Sequence, residues 1–385
     1  MPSLVSVIIP VHNRARLLGE ALSSISAQKY RHFEVIIIDD GSVEAIDQVV
    51  ENFKNTNDVQ VIFIRQDNAG PGSARNRGLG AAQGDFVAFL DSDDLWYPEM
   101  LQAAVEVLEK NPAADMACGG WDMIDGLGKA TTGIFRPTGL QPLVDEHFAK
   151  ALIFKNRFPI HSVLIRKESF VRFGNFDTEL VAFEDWELWI RMAAQGCRVV
   201  FFDVPVARWR LHHDVRRSPA GENFSYAVNQ VIEKLFSNKF IADRYIRYRY
   251  PAEILLWLQQ ADFYSQRGLA GNAAECILYA ERCLDRGPFG EDVFRAFLQN
   301  SLSVPLTENF RQLIGKLMSA SLRRKLDAEK RWQHVISEYN EHLLGPLIQE
   351  LTGLLFFNPS WLFGKLSRVL LIRLKVSGIF RIGLS

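Results

Sequence analysis

The sequence predicts an α/β protein built on a mostly parallel sheet flanked by helices, with an all-helical extension toward the C-terminus. Three observations carry that prediction. Short β-branched runs alternate with helix-like stretches through the first half of the chain. The runs at 5–9 and 35–38 are apolar without a break, as central strands buried on both faces must be. Polar residues follow four of these runs directly: His12-Asn13-Arg14, Asp39-Asp40-Gly41-Ser42, Asp67-Asn68 and Asp91-Ser92-Asp93-Asp94. In open parallel sheets the ligand crevice lies beyond the carboxyl ends of the strands, so four such tips predict one shared site.

In chain order, strand-like runs fall at 5–9, 35–39, 59–65, 86–90 and 116–119, with helix-like stretches at 16–28, 46–52, 73–82 and 98–111. From about 120 to 215 the pattern changes to short strands and loops, with a helix expected at 184–195. Beyond 222 the chain reads as helical, and 252–286 reads as a helical hairpin turning at Gly268 and Gly271. The expected division is a catalytic domain over 1–220, a helical extension over 221–350 and a basic segment over 351–385.

Composition excludes several classes. The hydrophobic fraction of 48% and charged fraction of 23% are those of an ordinary globular protein. A formal net charge of -1 gives no field that would gather nucleic acid. The cysteines Cys118, Cys197, Cys276 and Cys283 form no CxxC pair, which fits reduced thiols and a cytoplasmic location. The N-terminus begins at once with a strand-like run, and no leader pattern precedes it. No stretch has the roughly 18 uninterrupted apolar residues of a membrane span.

The acidic tip 91–94 carries most of the chemical information. A strand buried in a sheet cannot hide three carboxylates without partners, so they belong at its end. Hard oxygen donors there suit Mg²⁺ or Mn²⁺ shared with a phosphate. The same residues would also suit an acidic turn capping the next helix. Both readings stand on these residues alone.

Between Trp361 and Ser385 lie Lys365, Arg368, Arg373, Lys375 and Arg381 and no acidic residue, interleaved with aromatic and aliphatic side chains. Such a segment can lie on an anionic membrane surface or dock on protein. If it contacts membrane, a chain ending near Gly353 loses binding to anionic vesicles in a sedimentation assay; equal binding by the short and full chains refutes the contact.

The order of the motifs resembles a known family. Val5-Ser6-Val7-Ile8-Ile9-Pro10-Val11-His12-Asn13-Arg14 is followed by Phe33-Glu34-Val35-Ile36-Ile37-Ile38-Asp39-Asp40-Gly41-Ser42. Then come Asn68-Ala69-Gly70-Pro71-Gly72-Ser73-Ala74-Arg75-Asn76, Phe89-Leu90-Asp91-Ser92-Asp93-Asp94 and Glu184-Asp185-Trp186-Glu187-Leu188-Trp189. Together they resemble the family-2 inverting glycosyltransferases over about residues 4 to 215. The resemblance implies the GT-A fold, a Rossmann-like α/β sheet, and metal-dependent transfer of one sugar from a nucleotide-sugar donor, with UDP-sugar expected. The implied acceptor is a hydroxyl of a glycan or lipid-linked molecule, as in polysaccharide or cell-envelope glycan biosynthesis. Peripheral contact with the cytoplasmic face of a membrane goes with that setting.

The resemblance also assigns roles. Pro10, His12, Asn13, Asp40 and Asn68 fall where the nucleoside is received, with His12 in place of a stacking aromatic and Asp40 accepting from the base. Arg75 corresponds to a basic position near the diphosphate. Asp93 is the expected direct ligand of Mg²⁺ or Mn²⁺, and Asp91 with Ser92 contacts the nucleotide sugar and supports the ion. His212, beside His213, matches a third ligand. Asp94 is expected to cap the next helix or to support the ligands from behind. Asp185 matches the general base of an inverting hexosyl transfer, and Glu184 is expected to orient an acceptor hydroxyl. Trp121 is a candidate stacking platform, His161 a candidate sugar contact, and Asp177 a turn residue.

Other classes are weaker. A processive synthase would carry membrane helices and a Gln-x-x-Arg-Trp signature, and neither is present. A nucleotide-dependent oxidoreductase would need GxGxxG after a strand, whereas the glycines of 78–84 follow a helix. A catalytically silent nucleotide-sugar-binding or scaffold protein is the remaining alternative.

Overall fold

The computed structural model describes residues 2–284, apart from 132, 139, 141–147, 212–223 and 267–268. Its eight strands form one sheet: β1 Val5–Val11, β2 Phe33–Asp40, β3 Gln60–Gln66, β4 Phe86–Phe89, β5 Leu95–Trp96, β6 Met116–Ile124, β7 Val163–Arg166 and β8 Val199–Arg210. The strand order is β3-β2-β1-β4-β7-β6-β8-β5. The first four positions, β3 to β4, are parallel throughout. Next, β7 runs antiparallel to both β4 and β6, while β6 and β8 are parallel and the short β5 is antiparallel to β8. The expected α/β architecture is observed, with the parallel half carrying the tips and β7 reversing the sheet beside β4.

The apolar runs behave as anticipated. Val5, Val7, Ile8, Ile9 and Val35 to Ile38 are essentially inaccessible, because helices cover the strands on which they lie. Those helices are α1 Ala15–Ser26, α2 Ile46–Thr56, α3 Gly70–Ala81 and α4 Met100–Lys110. Pro10 lacks an N–H but costs the sheet nothing, since the β1–β4 ladder has already ended at Ile8 and Phe89. The second half adds α5 Phe148–Phe154, a 3-10 turn at Ile160–Ser162, α6 Lys167–Phe173 and α7 Glu184–Ala194.

Beyond these lie α8 Phe224–Ser237, α9 Lys239–Tyr245, α10 Arg249–Gln266 and α11 Ala270–Leu284. The last two form the expected hairpin, in which Trp257 stacks on Tyr279 with ring centroids 4.7 Å apart. Gly271 lies in the first turn of α11, and Gly268 falls outside the described residues. The basic segment 351–385 also falls outside them. All four cysteines are free and buried. No helix among the described residues is long and apolar enough to cross a membrane.

Close packing of α3 on the sheet fixes the height of the site. A Cβ at Gly78 would lie 2.4 Å from Cγ2 of Ile8 on β1. Gly78→Ala gains about 1 kcal/mol in helix propensity but faces an overpacking cost of about 1–3 kcal/mol. The clash is with a branched core side chain, so overpacking wins. The urea midpoint is expected to fall with unchanged slope; an equal or higher midpoint would mean that β1 yields freely.

Candidate active site

The four polar tips meet at the carboxyl end of the parallel strands and are bonded to one another. Asn13 has φ 52, in the left-handed region that Asn tolerates better than most residues. Its side-chain oxygen accepts from Val43 N (2.7 Å), and its backbone N donates to Ser42 Oγ (2.9 Å), so it clamps the β1 loop to the β2 loop. His12 is exposed, with Nδ1 2.8 Å from the Asp40 carbonyl and the Asn68 amide 3.3 Å away. The Asp40 carboxylate accepts from Gln66 Nε2, Ala69 N and Gly70 N at 2.8–2.9 Å, which ties the start of α3 to β2. Asp39 is buried and accepts from Ser42 N, a structural part in the β2 turn. An open polar hollow of about 670 Å³ lies alongside, lined by Gly41, Ser42, Val43, Arg65, Gln66, Asp67 and Asn68.

At the acidic tip the four residues divide differently from the expectation. Asp91 is the more open ligand candidate, with 30% of its side chain exposed. Asp93 Oδ2 lies 2.7 Å from Arg14 Nη1, a cation that sequence reading left without a role. Ser92 is buried within the turn. Asp94 does not cap a helix: α4 starts only at Met100, and Asp94 is buried. Its Oδ1 accepts from Arg210 N (2.7 Å), and its Oδ2 lies 2.8 Å from His161 Nδ1. That approach is an ion pair when His161 is protonated, and neither His161 nitrogen has an aligned hydrogen-bond partner among the described residues. Burial pushes the Asp94 carboxyl up, with Asp93 and Asp91 adding to the rise and His161 opposing it, to about 6. Burial opposes charge on His161, and Asp94 outweighs it, so His161 is raised.

The donor atoms of Asp91, Asp94 and His161 lie within 4.8 Å of one another. Asp94 and His161 face each other in the interior, so the accessible oxygens of the cluster belong to Asp91, while its neighbour Asp93 is buried and paired with Arg14. Carboxylate oxygens at a partly open strand tip have the hardness that Mg²⁺ and Mn²⁺ require, and the residues present fit such an ion. His212 lies outside the described residues, as does His213. Arg210, two residues earlier on β8, does belong to the site. Its guanidinium donates to the carbonyl of Asp93 (2.7 Å) and to Glu20 Oε2 (2.7 Å), bracing the tip from behind.

Across the site, the β4 tip and α7 are joined by Arg75. This guanidinium is almost wholly buried; it donates to Asp91 Oδ1 (2.6 Å) and, through its other nitrogen, to Glu184 Oε1. Glu184, expected to orient an acceptor hydroxyl, has Oε1 engaged by Arg75. Burial acts against the charge on Arg75, yet Asp91 and Glu184 hold its pKa well above the ordinary value. Asp185 follows Glu184 at the first turn of α7. Its Oδ1 accepts from Trp186 N (2.7 Å) and its Oδ2 from Asn156 Nδ2 (3.1 Å). Burial pushes its carboxyl up, Glu184 pushes further, and Arg75, Asn156 and Trp186 N–H hold it back, leaving it at about 6.

Two sugar-contact candidates are corrected. Trp121 lies inside β6 and stacks on Phe135 (centroids 5.6 Å, planes 14° apart), so it is core rather than platform. His161 is 2% exposed and faces Asp94. Asp177 is a turn residue as expected, accepting from Glu179 N (2.9 Å), and it also pairs with Lys234. Arg14 is marked in the sequence only as part of the first polar tip, Arg210 only by its nearness to His212, and Asn156 carries no sequence signal of its own. Replacing Arg75 leaves the buried Glu184 uncompensated, and removal of one partner of a buried pair costs about 3–5 kcal/mol. Arg75→Met is expected to fall in that range by chemical unfolding, with Glu184→Gln in the same chain recovering part of it. A loss within about 0.5 kcal/mol, the size of an ordinary surface change, would show that the bridge is solvated.

Comparison with known proteins bears on this geometry. The Glycosyl transferase family 2 model matches residues 6–176. An uncharacterized glycosyltransferase of Haemophilus influenzae is 32% identical over 182 residues, covering 47% of this chain and 70% of that protein. One from Rickettsia bellii is 28% identical over 282 residues, covering 71% of this chain and 40% of its own length. One from Rickettsia felis is 30% identical, covering 49% of this chain and 31% of its own, so the chain spans well under half the length of these two relatives. Among solved structures, Staphylococcus aureus TarS 1-349 superposes with a TM-score of 0.50 at 18% identity, covering 82% of this chain and 91% of that one. Its complex with UDP-GlcNAc superposes equally well. At that identity the likeness speaks for the GT-A fold alone. The chain belongs to glycosyltransferase family 2.

Proposed function

We propose that this chain transfers a single hexosyl residue from a nucleotide sugar, UDP-sugar first, to a hydroxyl of a glycan or lipid-linked acceptor, with inversion at the anomeric carbon. The observation that carries the proposal is Arg75, which ties Asp91 at the donor-side tip to Glu184, next to Asp185. The bridge brings a candidate donor-binding carboxylate and a candidate base within one guanidinium of each other.

The hollow beside Gly41 and Asn68 offers polar groups for a nucleoside, and two of its lining residues, Gln66 and Asn68, contact Asp40 and His12. Asp40 is the group read as discriminating uracil, whose imide N–H can donate to a carboxylate. A divalent cation, Mg²⁺ or Mn²⁺, held by Asp91 and Asp93 would neutralise charge on the diphosphate. Asp185 takes the proton of the acceptor hydroxyl as its oxygen bonds to the anomeric carbon. The bond from that carbon to the diphosphate breaks with its electron pair leaving on the phosphate oxygen. No protein nucleophile takes part, and the single displacement inverts the centre. With a pKa of about 6, Asp185 is ionised at neutral pH yet more basic than an ordinary carboxylate, as a general base should be.

The test is a panel of UDP-glucose, UDP-galactose, UDP-GlcNAc and their GDP counterparts, scored by thermal stabilisation with Mn²⁺ or Mg²⁺ present. At least one is expected to stabilise the protein. Asp185→Asn should keep that stabilisation and lose turnover by about 10²–10⁴-fold. Turnover of the parent should fall as pH drops through about 6, where Asp185 becomes protonated. Absence of stabilisation by every donor counts against the enzyme reading, and near-normal turnover in Asp185→Asn removes that residue from the mechanism.

A further inference from the structure

We propose that Asn156 is the positioning residue of the base, its side-chain amide holding the Asp185 carboxylate in the orientation from which it receives the acceptor proton. The inference rests on the reading of Asp185 given above and adds a residue to which neither motif nor family resemblance assigns a role.

The geometry is two-sided. One carboxylate oxygen of Asp185 is fixed by the backbone N–H of Trp186 on its own helix. The other is fixed by Asn156 from the segment that follows α5. A carboxylate held at both oxygens by donors on different elements cannot turn about its last bond. The segment is itself anchored, because the Trp186 indole N–H donates to the Leu152 carbonyl (2.6 Å) at the end of α5. The same helix start therefore sets both the base and the residue that orients it.

The other end of Asn156 supports the assignment. An ionised carboxylate offers acceptors only, so the amide must turn its NH₂ toward Asp185. That choice leaves Asn156 Oδ1 buried and without a hydrogen-bond partner among the described residues. An orphaned buried carbonyl oxygen costs free energy and calls for an explanation. Here the cost is offset by the contact with Asp185. An arginine in this place would neutralise the base, whereas an amide directs it without supplying a charge.

The charged groups around Asp185 are identifiable. Glu184 precedes it on α7 and opposes its ionisation, while Arg75 from α3 favours it. Glu187, further along α7, is paired with Arg191. Lys234 on α8 is paired with Asp177 and Glu179. Lys155 and Arg157 flank Asn156, and burial lowers the pKa of both. Asn156 is the side-chain donor from that segment to Asp185, and its N–H stabilises the charged form.

The experiment follows the Asp185 carboxyl by ¹³C NMR titration of the full chain labelled at aspartate carboxyls, with the signal assigned by its absence in Asp185→Asn. Asn156→Ala and Asn156→Leu both remove the donor, and leucine keeps the volume, so a fold lost to a cavity in one leaves the other to decide. Both are expected to raise the titration midpoint by about one pH unit. With whichever sugar nucleotide of the panel is turned over, the loss of turnover should be largest near pH 6 and shrink toward pH 8.5, with the donor KM unchanged. A midpoint that stays in place overturns the proposal, as does a turnover unchanged at every pH. Normal turnover in Asp185→Asn instead defeats the underlying reading of the base, an outcome independent of the titration.

Discussion

The site depends on one buried guanidinium. Arg75 sits in the interior between Glu184, which is also buried, and the partly open Asp91, and two charges removed from water hold only if they satisfy one another. The consequence is positional. Asp91 belongs to the strand tip at the parallel half of the sheet, and Glu184 opens a helix that comes about ninety residues later. The ion bridge fixes the separation of those two elements and thereby the distance from the tip to Asp185. It also removes Glu184 as a rival to Asp185, since a carboxylate committed to Arg75 is a poor base and a poor nucleophile.

A second set of contacts makes the tip rigid. Asp94 faces His161 and accepts from the backbone of Arg210, whose guanidinium reaches the Asp93 carbonyl and Glu20. Asp91 is thus left at the open side of a turn braced from β8 and α1, while Asp93 is held by Arg14 and Asp94 keeps the turn in place.

The legible part of this chain is the part governed by local pattern. Unbroken apolar runs marked β1 and β2, and their polar ends marked the site, because a buried strand leaves no other place for charge. The α10–α11 hairpin was legible for the same reason, from apolar periodicity and a break near Gly268 and Gly271. What escaped depends on partners distant in sequence. Asp94 looks like a cap until His161 is brought opposite it by β7, which pairs antiparallel with β4. Trp121 looks like an exposed platform until β6 continues to Ile124 and Phe135 stacks on it. Glu184 gives no local sign of the Arg75 contact. Nothing in the local sequence distinguishes Asn156 from any loop asparagine.

These constraints single out Asp185, held at both carboxylate oxygens at the start of α7, as the candidate base on the acceptor side. We propose a single displacement on that basis, and stereochemistry tests it most directly. With a donor that the protein turns over, ¹H NMR of the first product formed, recorded before any mutarotation, reports its anomeric configuration. The account predicts the configuration opposite to that of the donor. A product that keeps the donor's configuration would contradict it.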